Sequence, residues 1–416
     1  MSFEIIDGIL NIELTDLMTL AIAAVVGVLG YWIAYRVAFI KKFTIPAPVV
    51  GGFIIMLITW FGHSSSNFEV IFDNSYQDFF MLAFFTTIGL GASLKLLKVG
   101  GKLLIIYWLF SCALSIIQNI VGVGVSSIVG LEPAYGLLAS AIPLVGGHGA
   151  ALSYGTTFEQ AGYEAATLVG AASATYGLIS AVLIGGPLAN HLIKRDKITT
   201  PNMEGGKTEE LSNSYSDVLD NENASTLSSL DVFTNVAVIL ISMALGTIVS
   251  GWIGSVINMS FPDYVGAMFV AVIIRNLNDK LRFFNFNFKL VDGIGSVSLN
   301  LYLSMAMISM RLWELSDLIG GVLIVLIANT VITFLLVYFV GYRFFGKDYD
   351  AVVMSAGELG HGLGSTATAM VNMNAVTEKY GPSPKAFLIV PIVGSFLVDI
   401  IYQPQTIWFI SQFVEL

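Results

Sequence analysis

The sequence predicts an all-α polytopic membrane protein made of two inverted-topology repeats, each with five transmembrane helices and a Gly-rich re-entrant hairpin. Three observations lead to this prediction. Hydrophobic residues make up 56% of the 416-residue chain and charged residues only 12%, with a mean hydropathy of +0.80, whereas soluble domains are about 25% charged. Apolar runs of helix-spanning length recur along the chain. Two shorter apolar segments, one in each half, are interrupted by glycine clusters.

Ten apolar runs are long enough to cross a bilayer as helices. A transmembrane helix needs roughly 20 mostly apolar residues, and glycine is common there because small residues let helices approach closely. Changes from apolar to polar composition give the boundaries of the runs. The predicted spans lie near residues 15–37, 46–62, 77–95, 102–127, 165–191, 231–252, 262–280, 292–313, 317–344 and 384–413.

A polar stretch divides the ten spans into two groups of five. The predicted linker covers residues 192–230, is acidic and has the composition of a flexible segment. The N-terminal repeat is predicted at residues 14–191 with its hairpin at 133–157, and the C-terminal repeat at 231–414 with its hairpin at 350–375. An odd number of spans in each repeat gives the two repeats opposite orientations in the membrane.

Lysine and arginine residues predict the orientation, because positive charges concentrate on the cytoplasmic side of membrane proteins. If both Gly-rich segments loop back, eighteen of the nineteen basic residues fall on one side, and Arg311 is the exception. If either segment crossed fully, the basic clusters after it would lie outside. The sequence therefore predicts a multi-pass protein of the cell inner (plasma) membrane, with both termini outside and the central linker in the cytoplasm.

The two Gly-rich segments align with each other. "LLASAIPLVGGHGAALSYG" at 137–155 aligns with "VVMSAGELGHGLGSTATAM" at 352–370, which places Gly147 over Gly362. Inverted repeats with broken helices are typical of secondary transporters, in which the substrate site lies near the middle of the membrane. The sequence therefore predicts a transporter with one site shared by the two repeats.

The glycine clusters are predicted to form the tips of two hairpins that meet at this site. Irregular backbone is tolerated at membrane depth only where protein or a water-filled cavity surrounds it. Glycine permits a tight reversal and exposes helix ends, whose N-termini favour a carboxylate and whose free carbonyls can hold a cation. The residues of these segments predicted to contact substrate are Ser140, Gly146, Gly147, His148, Gly149, Gly362, Gly364, Ser365 and Thr366.

Several long stretches carry the pattern of a family: "FFMLAFFTTIGL" (79–90), "QNIVG" (118–122), "GGHGA" (146–150), "GHGLG" (360–364) and "AVTEKYGPSPKAFLIVPIVG" (375–394). These stretches are long and stand in the family's order. On this basis the chain resembles the bacterial glutamate:sodium symporters over essentially its full length.

The resemblance implies a carrier for L-glutamate that uses Na+ as its coupling ion and needs no other cofactor. It also implies inverted five-span repeats, paired hairpins, a homodimer, and an elevator-like movement of a hairpin-bearing core against a scaffold. The chain departs from the family at Pro143 and Val145 in the first hairpin and at Glu358 in the second. A close acidic analogue of glutamate is therefore an alternative substrate.

Polar side chains within the predicted spans give the candidate cation ligands. Asp399 lies inside the last span, where a carboxylate is energetically unfavourable and by default functional. It either binds Na+ through oxygen or makes an interhelical hydrogen bond in its protonated form. Gln118 and Asn119 are adjacent and point to different helix faces, so they either bind a ligand or join helices. The candidate Na+ ligands are Asp399, Gln118, Asn329 and Thr368, and Asn119 is a candidate substrate ligand.

Charged and titratable residues near the hairpins leave further alternatives. Arg311, at the outer end of the eighth span, either binds a substrate carboxylate in a bidentate manner or is an interfacial cation. His148 and His361 either form part of a proton relay or bond backbone groups at the tips. Glu358 either binds a cation near the second tip or lies solvated in an aqueous vestibule.

The favoured function is Na+-coupled uptake of an acidic amino acid by alternating access. A carrier of another small organic anion coupled to Na+ or H+ is the main alternative. A passive channel could also use loops lined by carbonyls. An aspartyl intramembrane hydrolase needs two facing carboxylates, and Asp399 has no clear partner in the spans. We therefore do not expect an enzyme, and neither a phosphate-binding motif nor a nucleic-acid partner is indicated.

Overall fold

A computed structural model of the chain describes residues 2–6, 9–42, 45–93, 96–201, 229–257, 262–284, 286–311, 313 and 318–414. Most of the predicted linker, residues 202–228, lies outside the described residues.

The first half of the described chain contains three strands and eight helices. The last helix continues to Asp196 and so extends into the predicted linker. Pro133 begins the sixth helix, where the N–H that proline lacks would have no helical partner. The elements are β1 Ser2–Ile6, β2 Ile9–Leu14, α1 Asp16–Arg36, α2 Ala38–Lys42, α3 Ala47–Ser64, β3 Phe68–Phe72, α4 Gln77–Gly91, α5 Leu96–Ile128, α6 Pro133–Leu137, α7 Ala141–Gln160 and α8 Ala166–Asp196.

The described part of the second half is helical. Its helices are α9 Ser229–Ile257, α10 Asp263–Leu281, α11 Phe288–Ile308, α12 Ile319–Phe344, α13 Tyr349–Leu363, α14 Thr366–Tyr380, α15 Pro384–Leu397 and α16 Asp399–Phe413. Side-chain oxygens of Asn287, Asp348 and Ser365 cap α11, α13 and α14 by accepting a hydrogen bond from a backbone N–H of the first turn.

The predicted spans coincide closely with helices. Seven described helices are long and apolar enough to cross a membrane, and α15 with α16, bent by 42°, makes an eighth. The chain is therefore a helical, multi-pass membrane protein. The other two predicted spans correspond to α4, which has only 15 residues, and α10, which carries Arg275, Asp279 and Lys280 near its end. The count of ten spans stays a prediction.

Three short strands are the part of the fold that the all-α prediction missed. β1 pairs antiparallel with β2, and β2 pairs parallel with β3. In β2 the apolar Leu10, Ile12 and Leu14 alternate with Asn11 and Glu13, which is the period-two pattern of a strand. A search for long apolar runs does not detect strands of this length.

The helices divide into two bundles, and both halves of the chain contribute to each. α1, α3 and α4 pack with α9, α10 and α11 in what we call the six-helix bundle. What we call the hairpin bundle contains α5 to α8 from the first half and α12 to α16 from the second. The largest hydrophobic core lies mainly in the hairpin bundle. A packing unit therefore does not correspond to a sequence repeat.

The first Gly-rich segment folds as a helical hairpin formed by α6 and the two parts of α7, which break at Gly147. Its start and its end lie together. The Tyr135 hydroxyl donates a hydrogen bond to the Glu164 carbonyl oxygen at 2.9 Å, and the rings of Tyr135 and Tyr163 lie 6.2 Å apart. The two ends of this hairpin therefore lie close together.

The second Gly-rich segment is a hairpin of α13 and α14, which pack against each other. It is longer than the predicted 350–375. Its two ends also lie together, since the Tyr349 hydroxyl donates to the Gly381 carbonyl and the Ser383 hydroxyl donates to the Asp350 carboxylate at 2.6 Å. Both Gly-rich segments thus reverse direction within the hairpin bundle.

Candidate functional site

The tips of the two hairpins meet inside the hairpin bundle. A Cβ built on Gly147, at the first tip, would lie 3.6 Å from the carbonyl oxygen of Gly364, at the second. No other described atom lies within 4 Å of that position, apart from the chain neighbours of Gly147 and the nearby backbone of its own helix. The structure therefore brings together two residues that are far apart in sequence and that both lie at a helix break.

The first tip depends on the backbone of Gly147. Its φ of 64° and ψ of −164° interrupt α7 and lie in a region that is populated almost only by glycine. The helix that follows points its N-terminus, with free N–H groups, at the tip. At the preceding Gly146 a side chain would collide with the Tyr402 hydroxyl and with Ala150. Both glycines are half-buried.

The second tip is a helix end followed directly by a helix start. α13 ends at Leu363, and Ser365 begins α14 as its N-cap. The Ser365 hydroxyl accepts a hydrogen bond from the Thr368 N–H at 3.3 Å and lies 3.1 Å from the Thr368 hydroxyl. Ser365 and Thr366 are half-buried, and Ala367 is exposed. The N-terminal turn of α14 is therefore accessible and attractive to an anion.

The α15–α16 bend lies against both tips. The Thr366 hydroxyl oxygen is 2.8 Å from a Cβ built on Gly394, and Tyr402 packs on Gly146 as described. Ser395 is exposed and Asp399 is half-buried. Asp399 therefore lies in sequence between Gly394 and Tyr402, the two residues of this bend that contact the tips.

Asp399 has few polar contacts. Its Oδ1 accepts a weak hydrogen bond from Gln403 Nε2 at 3.5 Å. No ion pair to Asp399 occurs among the residues that the structure describes. A carboxylate in a membrane-spanning helix without a basic partner is unfavourable unless a proton or a cation neutralises it.

The adjacent amides of α5 contact different parts of the site, as the sequence predicts. Gln118 Nε2 donates to the Gly362 carbonyl at 2.7 Å and to the Thr333 hydroxyl at 2.8 Å. Asn119 Oδ1 accepts from the Ser140 hydroxyl at 3.0 Å and from the Ala141 N–H at 3.2 Å. α5 therefore holds the second tip with one amide and the break between α6 and α7 with the other.

Two buried amide oxygens have no hydrogen-bond partner among the described residues: Gln118 Oε1 and Asn329 Oδ1. The Asn329 amide nitrogen donates to the Ala139 carbonyl at 3.1 Å. Buried polar atoms are rarely left unpartnered, and each exception calls for a ligand, ion or water. Both oxygens come from residues predicted to bind Na+.

Other predicted substrate residues either lie away from the tips or make hydrogen bonds to groups outside them. Ser140 is at the break between α6 and α7, His148 bonds the Thr175 hydroxyl of α8 at 3.0 Å, and the Gly149 carbonyl accepts from the Tyr302 hydroxyl at 3.3 Å. Arg311 lies beyond the end of α11 and lines a cavity of about 570 Å³ with residues that include Asp78 and Glu164. This cavity lies between the two bundles.

Sequence reasoning missed three residues that contact the tips or their supports. Tyr402 packs on Gly146, and Gly394 lies against Thr366. The Thr333 hydroxyl accepts a hydrogen bond from the Gln118 amide nitrogen. Tyr402 and Gly394 flank Asp399 within one or two helical turns, a signal that could have drawn attention to them. Thr333 lies one turn after Asn329 on α12, and a search of that helix face could have found it.

The chain is similar to known proteins over most of its length. A family model described as "Sodium/glutamate symporter" matches residues 12–382. Sodium/glutamate symporters of Escherichia coli K12 and of Shigella flexneri are each 40% identical to the chain over 400 residues, which cover 94% of this chain and 96% of each relative. The sodium/glutamate symporter of Haemophilus influenzae is 39% identical over 385 residues, or 92% of this chain and 94% of the relative.

A search of solved structures gives a more distant similarity. The sodium proton antiporter MjNhaP1 from Methanocaldococcus jannaschii, determined at pH 8, superposes with a TM-score of 0.44 and 13% sequence identity. The superposition covers 95% of this chain and 99% of that chain.

Proposed function

Because the chain belongs to the sodium/glutamate symporter family, whose members are transporters and not enzymes, we propose that it imports L-glutamate together with Na+ by alternating access. The observation that carries this proposal is the meeting of two Gly-rich helix breaks, at Gly147 and Gly364, beside a bend that carries Asp399. Such breaks expose N–H and carbonyl groups that bind anions and cations within a membrane.

The substrate carboxylates bind at the N-terminal ends of two helices. The part of α7 that starts at His148 offers free N–H groups next to Gly147, and α14 offers those next to Ser365 and Thr366. Glutamate carries two carboxylates, so one can face each helix end. Gly146, Gly362 and Gly364 let neighbouring groups pack closely on the backbone of the tips. Gly149 lies in the first turn of the helix that starts at His148, while Ser140, Asn119 and Arg311 act at a distance from the tips.

Na+ binds to oxygen atoms near the same tips. Asp399 supplies the negative charge, and the unpartnered oxygen of Asn329 supplies a neutral ligand. Thr368, in the first turn of α14, adds a hydroxyl. Because a cation next to the tips favours an anionic substrate, each ligand raises the affinity for the other.

The two repeats have inverted topology, and their hairpins are re-entrant from opposite sides. The end of the first hairpin lines the cavity with Arg311, on the side predicted to be outside. The end of the second lies near basic residues on the predicted cytoplasmic side, where Tyr380 donates to Asn190 and Tyr342 donates to Asp196. Both termini then face out and the linker faces the cytoplasm, in agreement with the positive-inside rule.

Transport occurs by movement of the hairpin bundle against the six-helix bundle. Helices pack mainly within their own bundle, so the two can shift as rigid bodies and carry the tips with them. As the family resemblance implies, the protein works as a homodimer in the cell inner membrane. Exposed apolar side chains of α1, such as Val25, Val28 and Trp32, suit a lipid or protein contact on the six-helix bundle.

Uptake into liposomes tests this function. Purified protein is reconstituted, and labelled L-glutamate uptake is measured with and without an inward Na+ gradient, with aspartate and a dicarboxylate as competitors. We expect saturable uptake that requires Na+. Uptake at the same rate without Na+, or none by protein that is folded, would contradict the proposal and direct the search to proton gradients and other organic anions.

Asp399→Asn tests the charged ligand within the same assay. We expect it to lower Na+-dependent uptake by about tenfold or more, because the Na+ site loses its charge. Asp292→Asn is the matched control, since Asp292 is an exposed carboxylate on a helix of the six-helix bundle. Equal uptake by the two variants would remove Asp399 from the cation site.

A further inference from the structure

A second carboxylate lies in the hairpin bundle without a role in the proposed substrate site. Glu358, on α13, is 0% exposed. Its Oε2 accepts a hydrogen bond from the Ser111 hydroxyl of α5 at 2.8 Å, and the Tyr107 hydroxyl lies nearby. Its Oε1 has no hydrogen-bond partner among the described residues. The solvated position that the sequence also allowed for Glu358 is wrong, because the side chain is fully buried.

Among the described residues, no basic side chain forms an ion pair with this carboxylate. The ion pairs of the described residues do not include Glu358. His361 follows one turn later on the same helix, but neither of its ring nitrogens makes a hydrogen bond. An ionised carboxylate buried without a partner destabilises the protein by several kcal/mol. Either a proton or a cation must therefore neutralise Glu358.

A second unpartnered oxygen belongs to the same helix contact. Gln118 is 0% exposed, and its Nε2 donates to the Gly362 carbonyl, which fixes the position of the amide and leaves Oε1 free. Glu358 Oε1 lies 4.0 Å from a Cβ built on Gly362. Both unpartnered acceptors therefore adjoin Gly362, at the contact between α5 and α13. Each acceptor needs a donor or a cation, and the charge of Glu358 favours a cation.

We infer that Glu358 and Gln118 are ligands of a second Na+ position between α5 and α13, distinct from the position that holds Asp399. Na+ suits a set made only of oxygens, and two further oxygens adjoin these side chains: the Ser111 hydroxyl is hydrogen-bonded to Glu358, and the Thr333 hydroxyl is hydrogen-bonded to Gln118. This inference rests on the proposed function for the identity of the ion, because that function already requires Na+.

The position links cation binding to the second tip. The Gln118 amide that would bind Na+ through Oε1 also holds the Gly362 carbonyl through Nε2. A cation on one side of the amide polarises it and strengthens the hydrogen bond on the other side. Na+ at this position would therefore order the last turn of α13, two residues before the tip at Gly364, and favour substrate binding there.

Equilibrium binding of ²²Na+ tests the position directly. The full-length protein is purified in detergent, and bound Na+ per chain is counted for the unchanged chain, for Glu358→Gln and for Glu378→Gln. Glu378 is the matched control, because it is a carboxylate of the same hairpin that is exposed on α14. We expect Glu358→Gln to bind one Na+ fewer per chain than the unchanged chain and Glu378→Gln to bind the same number.

Ser111→Ala keeps the carboxylate and serves if Glu358→Gln does not fold. We expect it to weaken Na+ binding about tenfold at one position only, since one hydrogen bond to a charged group is worth roughly 1.5–3 kcal/mol. An unchanged Na+ number and affinity in both variants would overturn the inference. Unchanged Na+ binding with a lost pH dependence of uptake would also overturn it, because Glu358 would then carry a proton.

The two proposals fail in different ways. If the unchanged chain binds Na+ but takes up no glutamate, the proposed substrate is wrong and the Glu358 comparison still stands. If glutamate uptake requires Na+ and Glu358→Gln binds as many ions as the unchanged chain, only the second position is wrong. If the unchanged chain binds no Na+, both proposals are wrong.

Discussion

At the residue scale, Gly147 and Gly101 have similar backbone angles and can be compared directly. Gly101 breaks α5 with φ 60° and ψ −155°, close to the angles of Gly147, and a Cβ there would meet no other described atom within 4 Å. A residue other than glycine in this region of backbone space costs about 1–3 kcal/mol. Only Gly147 faces the second hairpin tip. Comparing substitutions at the two glycines therefore distinguishes the effect of backbone strain from the effect of a role in the site.

Gly147→Ala and Gly101→Ala should lower the thermal unfolding temperature by similar amounts, because they introduce similar backbone strain. We expect only Gly147→Ala to lower Na+-dependent glutamate uptake, by about tenfold or more, since a shift of the tip misplaces the N–H groups that face substrate. Unfolding temperature is measured in detergent and uptake in liposomes. Equal losses of uptake in the two variants would show that strain alone explains the effect.

The sequence predicts individual site residues where a local rule applies. The different faces of Gln118 and Asn119 follow from helical geometry, and the two side chains bond different partners in the structure. The alignment of Gly147 with Gly362 does not match the helix breaks, because the second break falls two residues later, where Ser365 can act as an N-cap. The position of Arg311 depends on packing between bundles, which no local pattern records.

At the scale of one element, α8 presents a face of small residues to both hairpins. A Cβ on Gly170 would press on the Ala151 carbonyl of the first hairpin at 2.8 Å. Side chains at Gly177 and Gly185 would collide with the Leu363 carbonyl and with Asn372 of the second hairpin. The seven- and eight-residue spacing keeps all three on one side of the helix. α8 therefore sets the distance between the two hairpins.

Gly177→Ala tests this helix contact, with Gly186→Ala on the same helix as its control. No described atom lies within 4 Å of a Cβ on Gly186, apart from its own helix backbone and chain neighbours. We expect Gly177→Ala to destabilise the protein by about 1–3 kcal/mol, because the new methyl group meets backbone that cannot rotate away. Gly186→Ala should be neutral or stabilising, because alanine favours helix. Unfolding temperature compares them, and equal values would contradict a close α8–α13 contact.

Most element boundaries could be predicted because long apolar runs dominate this sequence. The last span is predicted at 384–413, and α15 and α16 cover the same range. The bend within it could not be predicted, although Pro391 and Pro404 lie close by. The strands and the extension of α8 to Asp196 also escaped prediction, because contacts outside the membrane decide them.

At the scale of the whole molecule, the cavity between the bundles gives a way to stop their relative movement. Thr156 of the hairpin bundle and Ser309, just after α11, both line this cavity. Asn74 and Ser309 also line it, but they are joined to each other by a hydrogen bond of 3.0 Å on the side of the six-helix bundle. A cross-link between residues 156 and 309 would therefore join the two bundles, whereas a cross-link between residues 74 and 309 would lie within one side of the cavity.

Thiol cross-linkers of graded length applied to Thr156→Cys with Ser309→Cys should block uptake by about tenfold or more, because the hairpin bundle can no longer shift. The same reagents on Asn74→Cys with Ser309→Cys should leave uptake within about twofold. Cys112, the single native cysteine, is buried and gives a low background. Full uptake by the cross-linked Thr156–Ser309 protein would contradict movement of one bundle against the other.

The division into bundles could not be predicted from the sequence. Each half of the sequence resembles a separate unit because a polar linker divides them, yet α1, α3 and α4 pack against α9, α10 and α11. Long-range contacts of this kind leave no periodic pattern in the chain.

Because each bundle contains helices from both halves of the chain, the fold has a consequence for biosynthesis. When the ribosome has made only the first half of the chain, neither bundle has all its helices, and the amides of Gln118 and Asn119 lack Thr333, Gly362 and Gln405. The early helices must then remain in the bilayer with polar groups and glycine faces uncovered until the second half is inserted. Newly made chains should therefore depend on the insertion machinery, or on a chaperone, to shield the first half until translation ends.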